Sequence, residues 1–365
     1  MTRMDSPEPG IVAAASPRKP GRLARLPIVH QLHQSVGLQR GMLVVGLVIT
    51  AVFILTAILA PVIAPYGYSQ LRDADGVFGA QQPPGGSHLL GTTVGGYDVL
   101  SRVLWGAQTA LFVIVVAVLL SIFAGVFLGL VSGYFGGWLD RVLVVVCDAV
   151  YAFPSLLLAI VMSIVISGGK SSLVGGVMAA AISITVVFIP QYFRVIRAET
   201  VRIKSEAYVE SARVLGAGNL RIMFRHVLRN ATRTLPLIFT LNSSEAILTL
   251  AGLGFLGFGI EPTAASEWGY DLNKSLSDVT SGIWWTSLFP GLAIVLVVMG
   301  ITLVGESLND LADPRLRGRR AVGASSGLVA ETSVVPGGSL DAGPGGLAGR
   351  ESTPTLPIDD SEAPR

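Results

Sequence analysis

Charged residues are scarce in this sequence. Of its 365 residues, 14% are Asp, Glu, Lys or Arg, whereas about 25% is usual in soluble domains. A soluble domain of this length needs charged side chains over its surface, so the scarcity argues against a single soluble enzyme and favours a membrane protein. The net charge of +2 is too small to indicate a nucleic-acid partner.

The residues that usually carry chemistry are also few. Cys147 is the single cysteine, which excludes an internal disulfide. No serine or cysteine occupies a recognisable catalytic motif. The histidines are too scattered to predict a metal site: His30, His33, His88 and His226. We therefore expect no catalytic, metal or cofactor site in this chain.

Two glycine patterns imitate nucleotide-binding motifs without the structural context that these motifs require. Residues 252–257 read GxGxxG, but they follow no predicted strand. Residues 169–171 imitate the end of a P-loop, but Ile164 stands where the first glycine of that motif is required. The sequence therefore predicts that the chain has no ATP site of its own.

Long apolar stretches dominate the rest of the chain. Each reaches or passes the ~20 residues that a helix needs to cross a bilayer, and none shows the alternation of a transmembrane strand. The first is too long, and too far from the N-terminus, for a signal peptide. We predict an all-α integral membrane protein with six transmembrane helices, at about residues 41–64, 105–132, 139–167, 171–193, 235–260 and 285–305.

The second predicted span carries a ridge of small residues. Ser121, Gly125, Gly129 and Gly133 recur every four residues. Such a ridge lets a neighbouring helix approach closely, so we expect these residues to form a helix–helix contact.

The distribution of Lys and Arg predicts the orientation in the membrane. Six basic residues precede Gly41, and nine lie in residues 194–233. The loops of opposite parity contain four: Arg72, Arg102, Lys170 and Lys274. By the positive-inside rule, both termini and the long loop at residues 194–234 are cytoplasmic.

The composition divides the chain into three parts. Residues 1–40 are interpreted as a basic cytoplasmic tail, and residues 41–320 as the transmembrane domain. Residues 321–365 are rich in Gly, Ser and Pro and contain few large apolar residues, so we predict a disordered cytoplasmic tail.

The cytoplasmic loop at residues 194–234 is too long for a simple connection. A short helix with a compact, nearly flat apolar face is predicted between Ser205 and Leu215, from residues at helical spacing: Tyr208, Ser211, Ala212 and Leu215. Gly216 suits the end of this helix, and Asn219 is the expected N-cap of a second helix. The alternative to a functional surface is a purely structural amphipathic element.

The same loop carries a longer motif. Glu210-Ser211-Ala212 is followed after three residues by Gly216, and after nine more by HVLR at 226–229. This motif resembles the EAA, Gly, Ile-x-Leu-Pro pattern of the permease subunits of ATP-binding-cassette (ABC) importers. Arg229 replaces the proline of that pattern. Because Arg229 has an N–H to donate, we expect a longer second helix.

Further motifs narrow the resemblance to the peptide and nickel branch of these importers and extend it from about residue 41 to residue 317. They are HLLGT at 88–92, DVLSR at 98–102, LGFLGFG at 253–259, WWTSLFPG at 284–291 and ADPRLR at 312–317. Their number and order make the chain similar to the second, C-type permease of dipeptide or oligopeptide importers.

The resemblance implies a type I ABC importer permease fold in the bacterial inner (plasma) membrane. Such a permease forms half of the pathway for di- or oligopeptides. It works with a second permease, with two ATPase subunits that bind ATP and Mg²⁺, and with an external substrate-binding protein. The short loop helix would be the coupling helix that docks on one ATPase, through Glu206, Ala207, Tyr208, Glu210, Ser211, Ala212, Arg213, Leu215, Gly216 and Ala217.

Two alternatives to a peptide importer stay open at this point. Related permeases carry nickel, glutathione or haem, and the sequence does not identify the solute. A stand-alone proton-coupled transporter is the alternative from another class, and it requires an ionisable relay of its own.

Two carboxylates within the predicted spans are candidate pathway residues. Glu245 lies near the middle of the fifth span, and Asp148 lies in the third. A lone carboxylate there is costly unless it faces water or a partner. Glu245 is interpreted either as a contact for a peptide's amino group or as a protonated or hydrogen-bonded packing residue. A structural role is the stronger interpretation for Asp148.

Overall fold

The computed structural model describes residues 38–168 and 173–312, and helices account for most of them. In these ranges, strand-like pairing is limited to isolated bridges within residues 72–98. We number the helices α1 Leu38–Ile63, α2 Val99–Phe135, α3 Gly137–Tyr151, α4 Ser155–Ser167, α5 Leu173–Lys204, α6 Ala207–Val214, α7 Asn219–Phe255, α8 Trp268–Lys274, α9 Leu276–Thr280 and α10 Trp285–Ala312. The all-α prediction is confirmed. The predictions for residues 1–37, 169–172 and 313–365, which include nearly all of the N-terminal tail and the whole C-terminal tail, lie outside the described residues.

The structure has five single helices that are long and apolar enough to cross a membrane within the described ranges: α1, α2, α5, α7 and α10. A sixth candidate span is the pair α3 and α4, which is bent by 98°. The span predicted over residues 139–167 corresponds to this bent pair rather than to one continuous helix. Pro154 accounts for the break, because it has no N–H to donate to the preceding turn and restricts the residue before it.

Several helix boundaries also differ from those expected. Helix α5 continues to Lys204 rather than ending near residue 193, and α2 begins at Val99 rather than near residue 105. Helix α7 begins within the predicted loop, with Gly218 rather than Asn219 as its N-cap, and it passes through Arg229. Charged residues end an apolar stretch without ending a helix, because Arg, Lys and Glu are good helix formers.

Helices α2 and α5 pack tightly along the predicted ridge of small residues. A Cβ atom added to Gly125 would lie 2.5 Å from the Tyr192 Cβ, and one added to Gly129 would lie 2.7 Å from the Phe193 carbonyl oxygen. The hydroxyl of Ser121 donates to the Thr185 carbonyl at 3.1 Å. The expected helix–helix contact is confirmed. It holds α2 and α5 as one rigid pair.

Buried apolar side chains form two clusters. The larger lies among the membrane-spanning helices and includes Ile114, Phe188, Tyr192, Ile247 and Trp268. The smaller joins the ends of α2 and α5 to α6 and the start of α7. Its members are Leu130, Tyr134, Ile196, Ile203, Val209, Ile222, Met223, Val227 and Ala231. This second cluster supports the segment that the sequence predicts to be the coupling helix.

Candidate functional site

Helix α6 is short and has defined ends. Glu206 is its N-cap residue, and the Glu206 carbonyl accepts from the Val209 N–H at 2.9 Å. Gly216 has φ +82°, a left-handed conformation that favours glycine. The Ala217 N–H donates to the Ala212 carbonyl at 3.0 Å across this turn, as in a Schellman motif. The helix therefore stops at the glycine that the sequence indicates.

One residue anchors α6 in the second cluster. Val209 is fully buried there, together with Ile203 and Ile222. The Tyr208 hydroxyl accepts from the Asn230 side-chain amide at 2.9 Å and ties α6 to α7. Sequence reasoning missed Val209. The signal that was available was its position as a large β-branched side chain on the side of the helix away from Ser211 and Leu215.

The opposite side of α6 is open. Val214 and Leu215 are 88% and 86% exposed. The predicted coupling residues all lie on this one projecting segment: Glu206, Ala207, Tyr208, Glu210, Ser211, Arg213, Leu215 and Gly216 are exposed, and Ala212 and Ala217 are half-buried. Large apolar side chains that lie outside a membrane span and face no neighbour are typical of a protein–protein contact.

The junction between α5 and α6 is fastened to the end of α2. The Lys204 ammonium donates to the Gly133 carbonyl at 2.9 Å. The Tyr134 hydroxyl donates to the Asn219 side-chain oxygen at 3.0 Å. These bonds connect the chain before and after α6 to the same helix. Both flanks of α6 are therefore held against the same end of α2.

A second feature lies at the break between α3 and α4. A cavity of about 270 Å³ opens there, between the broken span, α5 and α7. Its walls are Val150, Tyr151, Phe153, Ser155, Leu158, Val187, Gln191 and Glu245. The Glu245 side chain is half-buried, and its carboxylate has no hydrogen-bond or ion-pair partner among the described residues.

Asp148, the other candidate pathway residue, is in a different situation. Its carboxylate accepts from the Arg194 guanidinium at 2.8 Å, and both side chains are about half exposed. The same guanidinium lies 4.0 Å from the centre of the Tyr151 ring. Asp148 does not line the cavity. The expectation that both carboxylates stand without a nearby basic partner is wrong for Asp148.

The structure is a helical bundle with up to six candidate membrane spans. A cavity lies beside its broken span, and a short helix projects from one end. These features define a polytopic transport permease. Residues 125–318 match the family of the binding-protein-dependent transport system inner membrane component, and residues 38–84 match the N-terminal transmembrane domain of oligopeptide transport permease C. The chain belongs to this family of transport permeases and has its type I importer fold.

Named relatives cover most of the chain. The glutathione transport system permease protein GsiD of Pectobacterium atrosepticum is 32% identical over 82% of this chain and 98% of its own. The dipeptide transport system permease protein DppC of Alkalihalophilus pseudofirmus is 34% identical over 75% and 86%. A putative peptide transport system permease protein of Brucella suis is 37% identical over 73% and 86%. The chain is therefore a multi-pass inner-membrane protein.

Proposed function

We propose that this chain is one of the two permease subunits of an ATP-driven importer and forms half of the pathway for di- or oligopeptides. The printed functions of its relatives, which are transport of dipeptides, of other peptides and of glutathione, support the peptide class. Glutathione is itself a short peptide-like solute, so it remains within the proposed substrate range.

The observation that carries the proposal is the projecting α6 helix. Its exposed Val214 and Leu215 gain about 1.5–3 kcal/mol each when buried by a partner. In the proposed machine, that partner is one of two ATPase subunits, which bind ATP and Mg²⁺ and close on each other. The exposed charges of Glu210 and Arg213 select the partner and its register, because complementary charges give specificity.

The remaining partners and the orientation belong to the same proposal. The α6 end of the molecule and both termini face the cytoplasm, since nine basic residues gather in residues 194–233. The loops before α2 and after α7 then face outwards, where an external binding protein delivers the solute. A second permease supplies the other half of the pathway. Energy transduction belongs to the ATPases and not to this chain.

The test replaces the two exposed apolar residues of α6 in the complete importer. Val214→Ser/Leu215→Ser is expected to lower ATP-dependent peptide uptake into proteoliposomes by about tenfold or more and to release the ATPases during purification. The matched control is Val77→Ser, which changes a 77% exposed residue at the other end of the molecule.

The control is expected to transport like the unmodified importer. Normal uptake by the double variant would refute the assignment of α6. Uptake by the isolated chain without ATP would instead support the stand-alone proton-coupled transporter.

A further inference from the structure

The cavity at the break between α3 and α4 has the position of a solute site. Membrane transporters commonly build such sites where a spanning helix is interrupted, because irregular backbone within the membrane is tolerated where it lines a cavity. Here the interruption contributes Phe153 to the wall, and the helix ends beside it contribute Tyr151 and Ser155. Helix α5 contributes Gln191, and α7 contributes Glu245.

The charge of Glu245 is uncompensated in this cavity. None of the other lining residues is basic. Arg194 lies one turn beyond Gln191 on α5, but its guanidinium is bound to Asp148 and stacked on Tyr151. An unpaired carboxylate within a membrane span is costly. The cavity therefore favours a ligand that brings a positive charge.

The chemistry of the walls indicates which cation fits. A single carboxylate is a poor site for Ca²⁺ or Mg²⁺, which take six or more oxygen ligands, and the described residues contain no group of three metal-ligating side chains. A primary ammonium has three N–H donors. The Glu245 carboxylate, the Gln191 side-chain carbonyl and the Ser155 hydroxyl are acceptors around the same cavity. The Phe153 ring also attracts a cation, whereas the Tyr151 ring already stacks on Arg194.

We propose that this cavity binds the α-ammonium group of the transported peptide, with Glu245 as its counter-ion. The proposal rests on the proposed function, because it takes the solute to be a peptide. It makes Glu245 a specificity-determining residue for a free amino terminus.

The first experiment probes the electrostatic potential of the cavity and does not require transport to occur. The single cysteine is removed by Cys147→Ser, and Gln191→Cys places a thiol in the wall beside Glu245. In the assembled importer, a cationic thiol reagent is expected to react faster than an anionic reagent of similar size. Glu245→Gln should lower this rate ratio by about tenfold.

The matched control is Glu306→Gln, which neutralises an exposed carboxylate on α10 that does not line the cavity. It should leave the rate ratio unchanged. No reaction with either reagent, or a ratio that Glu245→Gln does not change, would overturn the proposal.

The second experiment compares uptake of a tripeptide with uptake of its N-acetyl form by the complete importer. The same binding protein is used throughout, so its own preference cancels when the ratio for the variant is divided by the ratio for the unmodified importer. Glu245→Gln is expected to lower the preference for the free amino terminus by about tenfold, and Glu245→Asp to retain it.

The outcomes separate the two proposals. If the unmodified importer transports neither peptide, the proposed function fails. If it transports them and Glu245→Gln leaves the preference unchanged, the ammonium site fails while the function stands. If Glu245→Gln transports nothing, the thiol-reaction ratio decides.

Discussion

The two ends of the molecule are built differently. At the loop end, formed by residues 64–102 and 256–284, buried polar side chains find partners within the chain. The Arg102 guanidinium donates to Asp271 at 2.7 Å with both side chains buried, and His88 pairs with Asp98 at 2.9 Å. Glu267 accepts from the N–H groups of Gly269 and Tyr270, which caps α8.

Glu267 illustrates how dry the loop end is. Burial raises the pKa of its carboxyl group to about 8, although the two backbone N–H groups favour the ionised form. Burial has the larger effect on the pKa, because two N–H groups do not replace all the water that the carboxylate loses. Most polar groups at this end are satisfied within the chain, although one nitrogen of Arg102 and one oxygen each of Asp271 and Asp278 have no hydrogen-bond partner among the described residues.

The α6 end, formed by residues 197–234, is the opposite case. Val209 enters the second cluster, but Val214 and Leu215 face solvent. The difference teaches where this subunit depends on others. The loop end is stabilised by its own pairs, whereas the α6 end exposes apolar surface that a partner must cover.

The largest effect is expected from removing a buried ion pair at the loop end. Arg102→Leu leaves Asp271 buried without its cation, so the permease should lose about 3–5 kcal/mol of stability. The measurement is the thermal midpoint of the purified importer, together with the amount of subunit in the membrane. The double variant Arg102→Leu/Asp271→Leu should recover much of the loss, because an apolar pair replaces the ion pair. Equal loss in both variants would show that the pair is not the cause.

The second effect is intermediate and is confined to the α6 end. Val209→Ala removes buried apolar surface from the only α6 residue in the second cluster, at a cost of roughly 2 kcal/mol. We expect α6 to open locally, so its amide hydrogens should exchange faster while those of α8 do not change. ATP hydrolysis should continue with less peptide uptake per ATP. Unchanged exchange in α6 would mean that Val209 does not anchor it.

Much of this architecture is predictable from local sequence. Bilayer-length apolar stretches indicate the spans, because the hydrocarbon thickness fixes the required length. The end of α6 at Gly216 is also predictable, because a left-handed residue at a helix end favours glycine. A close contact of α2 with another helix follows from the spacing of small residues, although the identity of its partner, α5, does not.

Other features depend on tertiary contacts that no local pattern records. Asp148 looks isolated in the sequence, yet it pairs with a residue 46 positions away on α5. Apolar length reports the bilayer and not the helix ends, so the continuation of α5 to Lys204 escaped prediction. The 98° bend between α3 and α4 was missed because the apolar stretch continues through Pro154, so hydropathy alone indicates a single span.

The smallest effect is expected from a change at a single backbone position at the α6 end. Gly216 has φ +82°, and no atom lies within 4 Å of a Cβ added there, so Gly216→Ala introduces backbone strain without a clash. The strain costs about 1 kcal/mol for an L-residue in the left-handed region. Peptide uptake should fall severalfold, with the thermal midpoint of the importer nearly unchanged, because the strain lies at the end that we propose to dock on an ATPase. The matched control is Gly41→Ala on α1, where the backbone is helical and open space also surrounds the added Cβ. Alanine favours the helix there, so uptake should stay normal. Equal uptake by the two variants would show that the shape of the turn after α6 does not matter for coupling.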